Sequence, residues 1–102
     1  MDRIATLTEI LAANPADKLA RYGLAMEYSN AGLVDEALEQ FKKLIENNPD
    51  YTAAYFMAAQ TLANASRTDE AKSMLVDGIS AARRTGNQHA QSEMTGMLES
   101  LK

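Results

Sequence analysis

The dipeptide Asn14-Pro15 recurs as Asn48-Pro49, and the offset of 34 residues is carried by much more than these two turns. At the same spacing Ala20, Ala25, Asn30, Ala31, Asp35, Glu36, Ala37 and Ile45 meet Ala54, Ala59, Asn64, Ala65, Asp69, Glu70, Ala71 and Ile79. The changes between these identities conserve size, with Tyr22 against Phe56, Tyr28 against Leu62 and Phe41 against Leu75. A chain that repeats at a fixed period of roughly 20 to 50 residues is confined to architectures in which each unit buries its apolar face on the next. Leu7, Leu11, Asn14 and Pro15 stand 34 residues ahead of Phe41, Ile45, Asn48 and Pro49, so the chain opens on half a unit.

Each unit reads as two helices. Asn14 and Asn48 offer side-chain oxygens suited to capping a helix N-terminus, and the proline after each fits the first helical position. Asp17 places a negative charge in the first turn, Gly32 breaks the first helix, and Ser66 stands at the equivalent place. Asp35-Glu36 and Asp69-Glu70 then open the partner helices, and Glu39 with Lys43 forms an i,i+4 pair. The expected helices are 2–13, 16–31, 34–47, 50–65, 68–84 and 87–101. No alternating strand pattern competes, and Ala90, Met94, Met97, Leu98 and Leu101 keep a helical period in the last segment.

The 102 residues suffice for one domain, and a hydrophobic content of 46% supplies its core. Fourteen acids against ten bases give a net charge of −4. All the excess lies in residues 1–51, and no basic run exceeds Lys42-Lys43 or Arg83-Arg84. Nucleic acid and anionic membrane are therefore disfavoured partners, since both require a dense basic face. Arg83-Arg84 fits the C-terminal end of a helix dipole better. Cysteine is absent from the sequence, which excludes disulfides and thiolate chemistry. The acid in Met1-Asp2-Arg3-Ile4 does not suit a signal peptide, and the uncharged stretch from Tyr51 to Ser66 is too polar to span a bilayer. A cytoplasmic location is expected.

The arrangement resembles the tetratricopeptide repeat family. In the unit 18–51, Leu24, Ala25, Tyr28, Gly32, Ala37, Phe41 and Pro49 stand on the family's signature positions, while Arg21 replaces a favoured aromatic. In the unit 52–85, Tyr55, Ala59, Leu62, Ala71 and Leu75 match, and Ala58, Ser66, Gly78 and Arg83 depart. Residues 87–102 read as a capping helix, because Glu93 occupies the position of Ala25 and Ala59. The resemblance implies an all-α, right-handed solenoid of about six antiparallel helices, one domain over 1–102 with its half unit at 1–15.

The first full helix carries two apolar stripes. Leu24, Tyr28 and Ala31, with Ala25, form the stripe expected to face its pair partner. Leu19, Tyr22 and Met26 form the second, which is similar to the groove-lining positions of tetratricopeptide folds. Its equivalents in the next unit are Ala53, Phe56 and Gln60, joined by Asn30 and Asn64 and extended by Ala90 and Met94. The candidate partner-binding residues are thus Leu19, Tyr22, Met26, Asn30, Phe56, Gln60, Asn64 and Met94. Two readings stand for Tyr22, Met26 and Phe56, partner contact and internal packing; Asn30 and Asn64 either clamp a peptide or satisfy helix carbonyls. The clamp with which some members of the family hold an acidic chaperone tail falls on Tyr22, Met26, Met57, Asn87 and Gln91. These offer no cation for a carboxylate.

No catalytic residue, metal site or cofactor is expected. His89 reads as a surface histidine with neither a local carboxylate nor a second ligand, and the five glycines form no phosphate loop. The expected function is a non-catalytic adaptor holding a peptide or helix of a partner protein in its concave groove. The alternative is a structural module that forms a homodimer through apolar faces or solenoid ends.

Overall fold

A computed structural model describes residues 2–102; Met1, where the expected half unit begins, lies outside the described residues. The described residues form six helices and no strand: α1 (Arg3–Ala13), α2 (Lys18–Asn30), α3 (Val34–Asn47), α4 (Thr52–Asn64), α5 (Thr68–Thr85) and α6 (Gln88–Ser100). Each helix packs on the next. In addition the backbones of α2 and α4, and of α4 and α6, approach closely, whereas those of α1 and α3, or of α3 and α5, do not. The helices α2, α4 and α6 thus converge on one side while the other three splay apart, which makes an all-α solenoid with an inner and an outer layer. Its shortest dimension is 19 Å, two helix layers of about 10 Å each.

The Asn-Pro turns act differently from the expectation. Asn14 and Asn48 end the preceding helices, each donating its backbone N–H to a carbonyl one turn back, Ile10 at 2.9 Å and Leu44 at 2.8 Å. Proline disfavours helical geometry at the residue before it, and both asparagines are extended, with φ near −140°. A turn intervenes before each following helix, with Asp17 N–H donating to Asn14 O at 3.1 Å and Tyr51 N–H to Asn48 O at 3.0 Å, so the next helices begin two residues later than expected. Asp17, not Asn14, caps α2 by accepting the Ala20 N–H at 3.0 Å. Tyr51 precedes α4 without a side-chain cap.

Gly32 and Ser66 both adopt left-handed backbone, φ 78° and 63°, and close α2 and α4 in the same way. Leu33 donates to Tyr28 O and Arg67 to Leu62 O, each at 2.9 Å, so the chain reverses through a six-residue loop of hydrogen bonds. Ala31 lies at the cap of α2 and is exposed rather than facing α3.

Small residues set the helix spacing. Ala25, Ala37, Ala54, Ala59 and Ala71 are fully buried, and around them pack Phe41, Leu44, Leu75 and Met94, also without exposure. Gly78 takes this to its limit: a Cβ built there would lie 2.5 Å from Met94 Sδ and 2.6 Å from Tyr55 Cβ. At Gly23, by contrast, an added Cβ would meet only the Leu7 side chain, at 3.5 Å.

Gly23→Ala should accordingly stabilise the fold by about 0.5–1 kcal/mol, since it removes backbone freedom from the unfolded chain at no steric cost. Gly78→Ala should destabilise it by about 1–3 kcal/mol despite the same propensity gain, because α4, α5 and α6 must separate. Urea unfolding of the two variants checks the opposite signs.

Candidate functional site: the concave face

The inner layer carries a groove of about 200 Å³ between α2, α4 and α6. Tyr22, Ala53, Phe56, Met57 and Ala90 give it apolar walls, Met94 lies at its base, and Thr52, Asn87, His89 and Glu93 form its polar edge. Alanine at 53 and 90 contributes little bulk to these walls.

Tyr22 serves core and groove together. Its ring meets Phe41 edge-on, centroids 6.3 Å apart at 70°, and lies 5.6 Å from the Tyr51 ring. Burial and then the neighbouring Tyr51 push the Tyr22 phenol up from its ordinary value, and burial does the same to Tyr51. Phe56 is likewise half-buried, packed on the cluster of Tyr55, Leu75 and Ile79 while it faces the groove. The two sequence readings of these rings, packing and exposure to a ligand, describe the same side chains.

The other expected residues are placed less uniformly. Met26 is half-buried against the core around Phe41 and does not line the groove. Met94 is fully buried, so it supports the base and offers a partner no surface of its own. Leu19 is 72% exposed and lines no part of the groove. Gln60 is exposed, and Asn30 and Asn64 end α2 and α4 with exposed side chains. Asn30 lies in a separate shallow cleft with Arg3 and Glu27.

Sequence reasoning left Met57, His89 and Glu93 out of the site. Met57 stands 34 residues after Gly23, which has no side chain, so the repeat offered no apolar signal there. His89 does have a local carboxylate, contrary to expectation: Glu93, one turn on, places Oε1 3.2 Å from its Nε2. Both side chains are largely open to water.

Polar contacts hold the inner helices in register. Ser29 Oγ and Thr61 Oγ1 lie 2.8 Å apart across α2 and α4, and Thr61 also donates to Met57 O at 2.8 Å. Asn87 caps α6 by accepting from Ala90 N at 3.0 Å and donates to Thr52 Oγ1 at 3.4 Å. No described helix is long and apolar enough to cross a membrane.

Profiles of the tetratricopeptide repeat match residues 28–91 and 1–52. The chain belongs to the tetratricopeptide repeat family. A TPR repeat-containing protein of Pseudomonas aeruginosa is 29% identical over 95 residues, 93% of this chain and 90% of that one. The solution structure of a tetratricopeptide repeat domain protein from Salinibacter ruber superposes with a TM-score of 0.78 at 32% identity, covering 85% of this chain and 88% of that one. YrrB, described as a TPR protein with an unusual peptide-binding site, superposes with a TM-score of 0.73 at 31% identity, over 76% of this chain and 40% of its own. Tetratricopeptide folds are in general non-catalytic scaffolds for protein interaction.

The Tyr22 environment sets a pH dependence. A phenol held neutral in the folded state ionises first in the unfolded chain, so stability present below the ordinary range is lost as pH rises past about 10. Tyr22→Phe should lessen that alkaline loss and cost little at pH 7, where the hydroxyl has no hydrogen-bond partner among the described residues. Tyr22→Ala should cost about 2–4 kcal/mol at any pH, by removal of the ring from Phe41 and Tyr51. Thermal unfolding at pH 7 and above pH 10 separates the two.

Proposed function

We propose that this chain is a non-catalytic adaptor that holds a peptide or helical segment of a partner protein in its concave groove. The observation that supports the reading is the pair of half-buried rings, Tyr22 and Phe56, that line one groove together with Ala53, Met57 and Ala90. Packing fixes each ring on one side, so little conformational entropy is lost when an apolar side chain inserts between them, and a flexible methionine adapts to its shape. Helix-in-groove and extended-peptide recognition both use such anchors. The peptide-binding site named for YrrB supports the same reading.

Photo-crosslinking locates the contact surface. A crosslinking residue at Gln60, on the inner layer, should capture a defined partner, and one at Ser73, on α5, should not. Ala53→Arg should abolish capture at Gln60 with a small change in melting temperature, because Ala53 is exposed and its replacement fills the groove without touching the core. Capture that survives Ala53→Arg, or that is equal from Ser73, overturns the groove assignment.

A second reading is favoured by Leu19 alone: an apolar side chain 72% exposed in the first turn of α2 is a natural contact for another copy. Light scattering behind size exclusion should then find a dimer that Leu19→Lys converts to a monomer. A wild-type monomer at all concentrations removes this reading and leaves the adaptor.

A further inference from the structure

A second cleft, of about 370 Å³, opens between the first turn of α2 and the last turn of α3. Ala16, Lys18, Arg21, Leu44, Asn47 and Asn48 line it, and it shares no lining residue with the concave groove. The repeat supplies a comparison within the molecule. At the equivalent positions of the second unit stand Asp50 for Ala16, Thr52 for Lys18, Tyr55 for Arg21 and Gly78 for Leu44.

There the Tyr55 ring packs against the backbone at Gly78, its hydroxyl donates to Pro49 O at 2.6 Å, and Asp50 is paired with Arg84. The second unit is filled and electrically balanced at this place. In the first unit the ring is gone, the acid is gone, and two cations have entered.

Arg21 is already oriented. Its NH1 donates to Gln40 Oε1 at 2.7 Å and its NH2 to Pro15 O at 3.1 Å, the carbonyl equivalent to the one Tyr55 reaches. Both acceptors are neutral, three of the five guanidinium N–H groups remain, and neither Arg21 nor Lys18 pairs with a carboxylate among the described residues. The nearby acids are turned elsewhere, Asp17 to the Ala20 N–H and Asp50 to Arg84. Asn48 gives one amide N–H to Leu44 O at 3.1 Å and keeps the other. The carbonyl end of α3 borders the cleft with a partial charge of about −0.5, well short of two full positive charges.

We propose that this cleft is an oxyanion subsite, taking a carboxylate or phosphate group on Arg21 and Lys18 with amide donors from Asn47 and Asn48. A guanidinium fixed as a fork by two contacts is prepared for bidentate binding of such a group. The volume falls at the lower end of small-ligand pockets, about 300–1,000 Å³, so it accommodates the anion with a few carrier atoms along Leu44. The anion comes either free or as an acidic side chain of a bound chain.

Nuclear magnetic resonance titrations of the whole chain at low salt, where screening is weakest, test this. The probes are inorganic phosphate, for the free source, and acetyl-glutamate amide, for a side chain. Either should perturb the Arg21 side-chain N–H and the Asn47 and Asn48 amides before other signals; the probe that binds tighter identifies the source. Lys18→Gln should weaken the affinity about tenfold or more, the effect of losing one charge-assisted contact, without altering the melting temperature of an exposed position. Arg21→Tyr, which restores the residue of the second unit, should abolish binding; if Leu44 obstructs the ring and this variant does not fold, Lys18→Glu replaces it. Silence of the cleft signals at tens of millimolar of both probes overturns the proposal. So does perturbation that survives these variants or centres on Arg83.

Discussion

Two antiparallel helices approach within about 8–10 Å only where their facing side chains allow it, and everything in this solenoid rests on that allowance. Ala25, Ala37, Ala59 and Ala71 occupy the crossings within the two helix pairs and are fully buried. A larger residue at any of them would spread its pair and tilt the next one, because each unit uses the previous unit as its template. Gly78 extends the same logic to a place where three helices meet, and there even a methyl group is too large. The convergence of α2, α4 and α6, which creates a concave face at all, follows from these close crossings.

The eight identities at the 34-residue offset divide along the same line. Six of the residues are alanines at crossings, Ala20, Ala25 and Ala37 with their counterparts, all buried. Others serve the turns. Asp35 and Glu70 both accept from Arg67, at 3.0 Å and 2.8 Å, which ties the start of α3 to the start of α5. Arg67 pulls the Glu70 carboxyl below its ordinary range, though both groups are open to water and the gain is that of a surface pair. The small crossings repeat because each unit needs them, whereas the donor Arg67 stands where the first unit has Leu33; the period made the repeated helix pairs legible in the sequence, and the family resemblance supplied the solenoid.

What was less legible depended on neighbours rather than on residue type. Asparagine before proline satisfies the pattern of a helix start and of a helix stop equally well, and in both units it ends one helix and opens a turn before the next, whether a side-chain cap follows, as at Asp17, or not, as at Tyr51. In the groove, periodicity identified the stripe of Leu19, Tyr22 and Met26 but not its fate. Met26 turns to the core beside Phe41, Leu19 stays in water, and Tyr22 lies between. Burial of Met94 follows from Gly78, whose missing side chain admits the thioether, and that reason sits on another helix sixteen residues away.

Residues at the two ends of one crossing are coupled, and the two units resolve the coupling in opposite ways. The second unit joins a large ring on its first helix, Tyr55, to glycine on its second, Gly78. The first unit joins Leu44, fully buried, to Arg21, whose head turns out to Gln40 and Pro15. The two pairs differ in chemistry and in filling, because the second unit occupies the space with a ring packed on glycine while the first turns a polar head to the surface and leaves a cleft beside Leu44. Both solutions keep a donor on the proline carbonyl of the preceding turn, a phenol in one case and a guanidinium in the other. The departure at Arg21 from the family's aromatic thus preserves the turn contact, opens a cleft where the second unit is filled, and frees positive charge at a place where the second unit has none to spare.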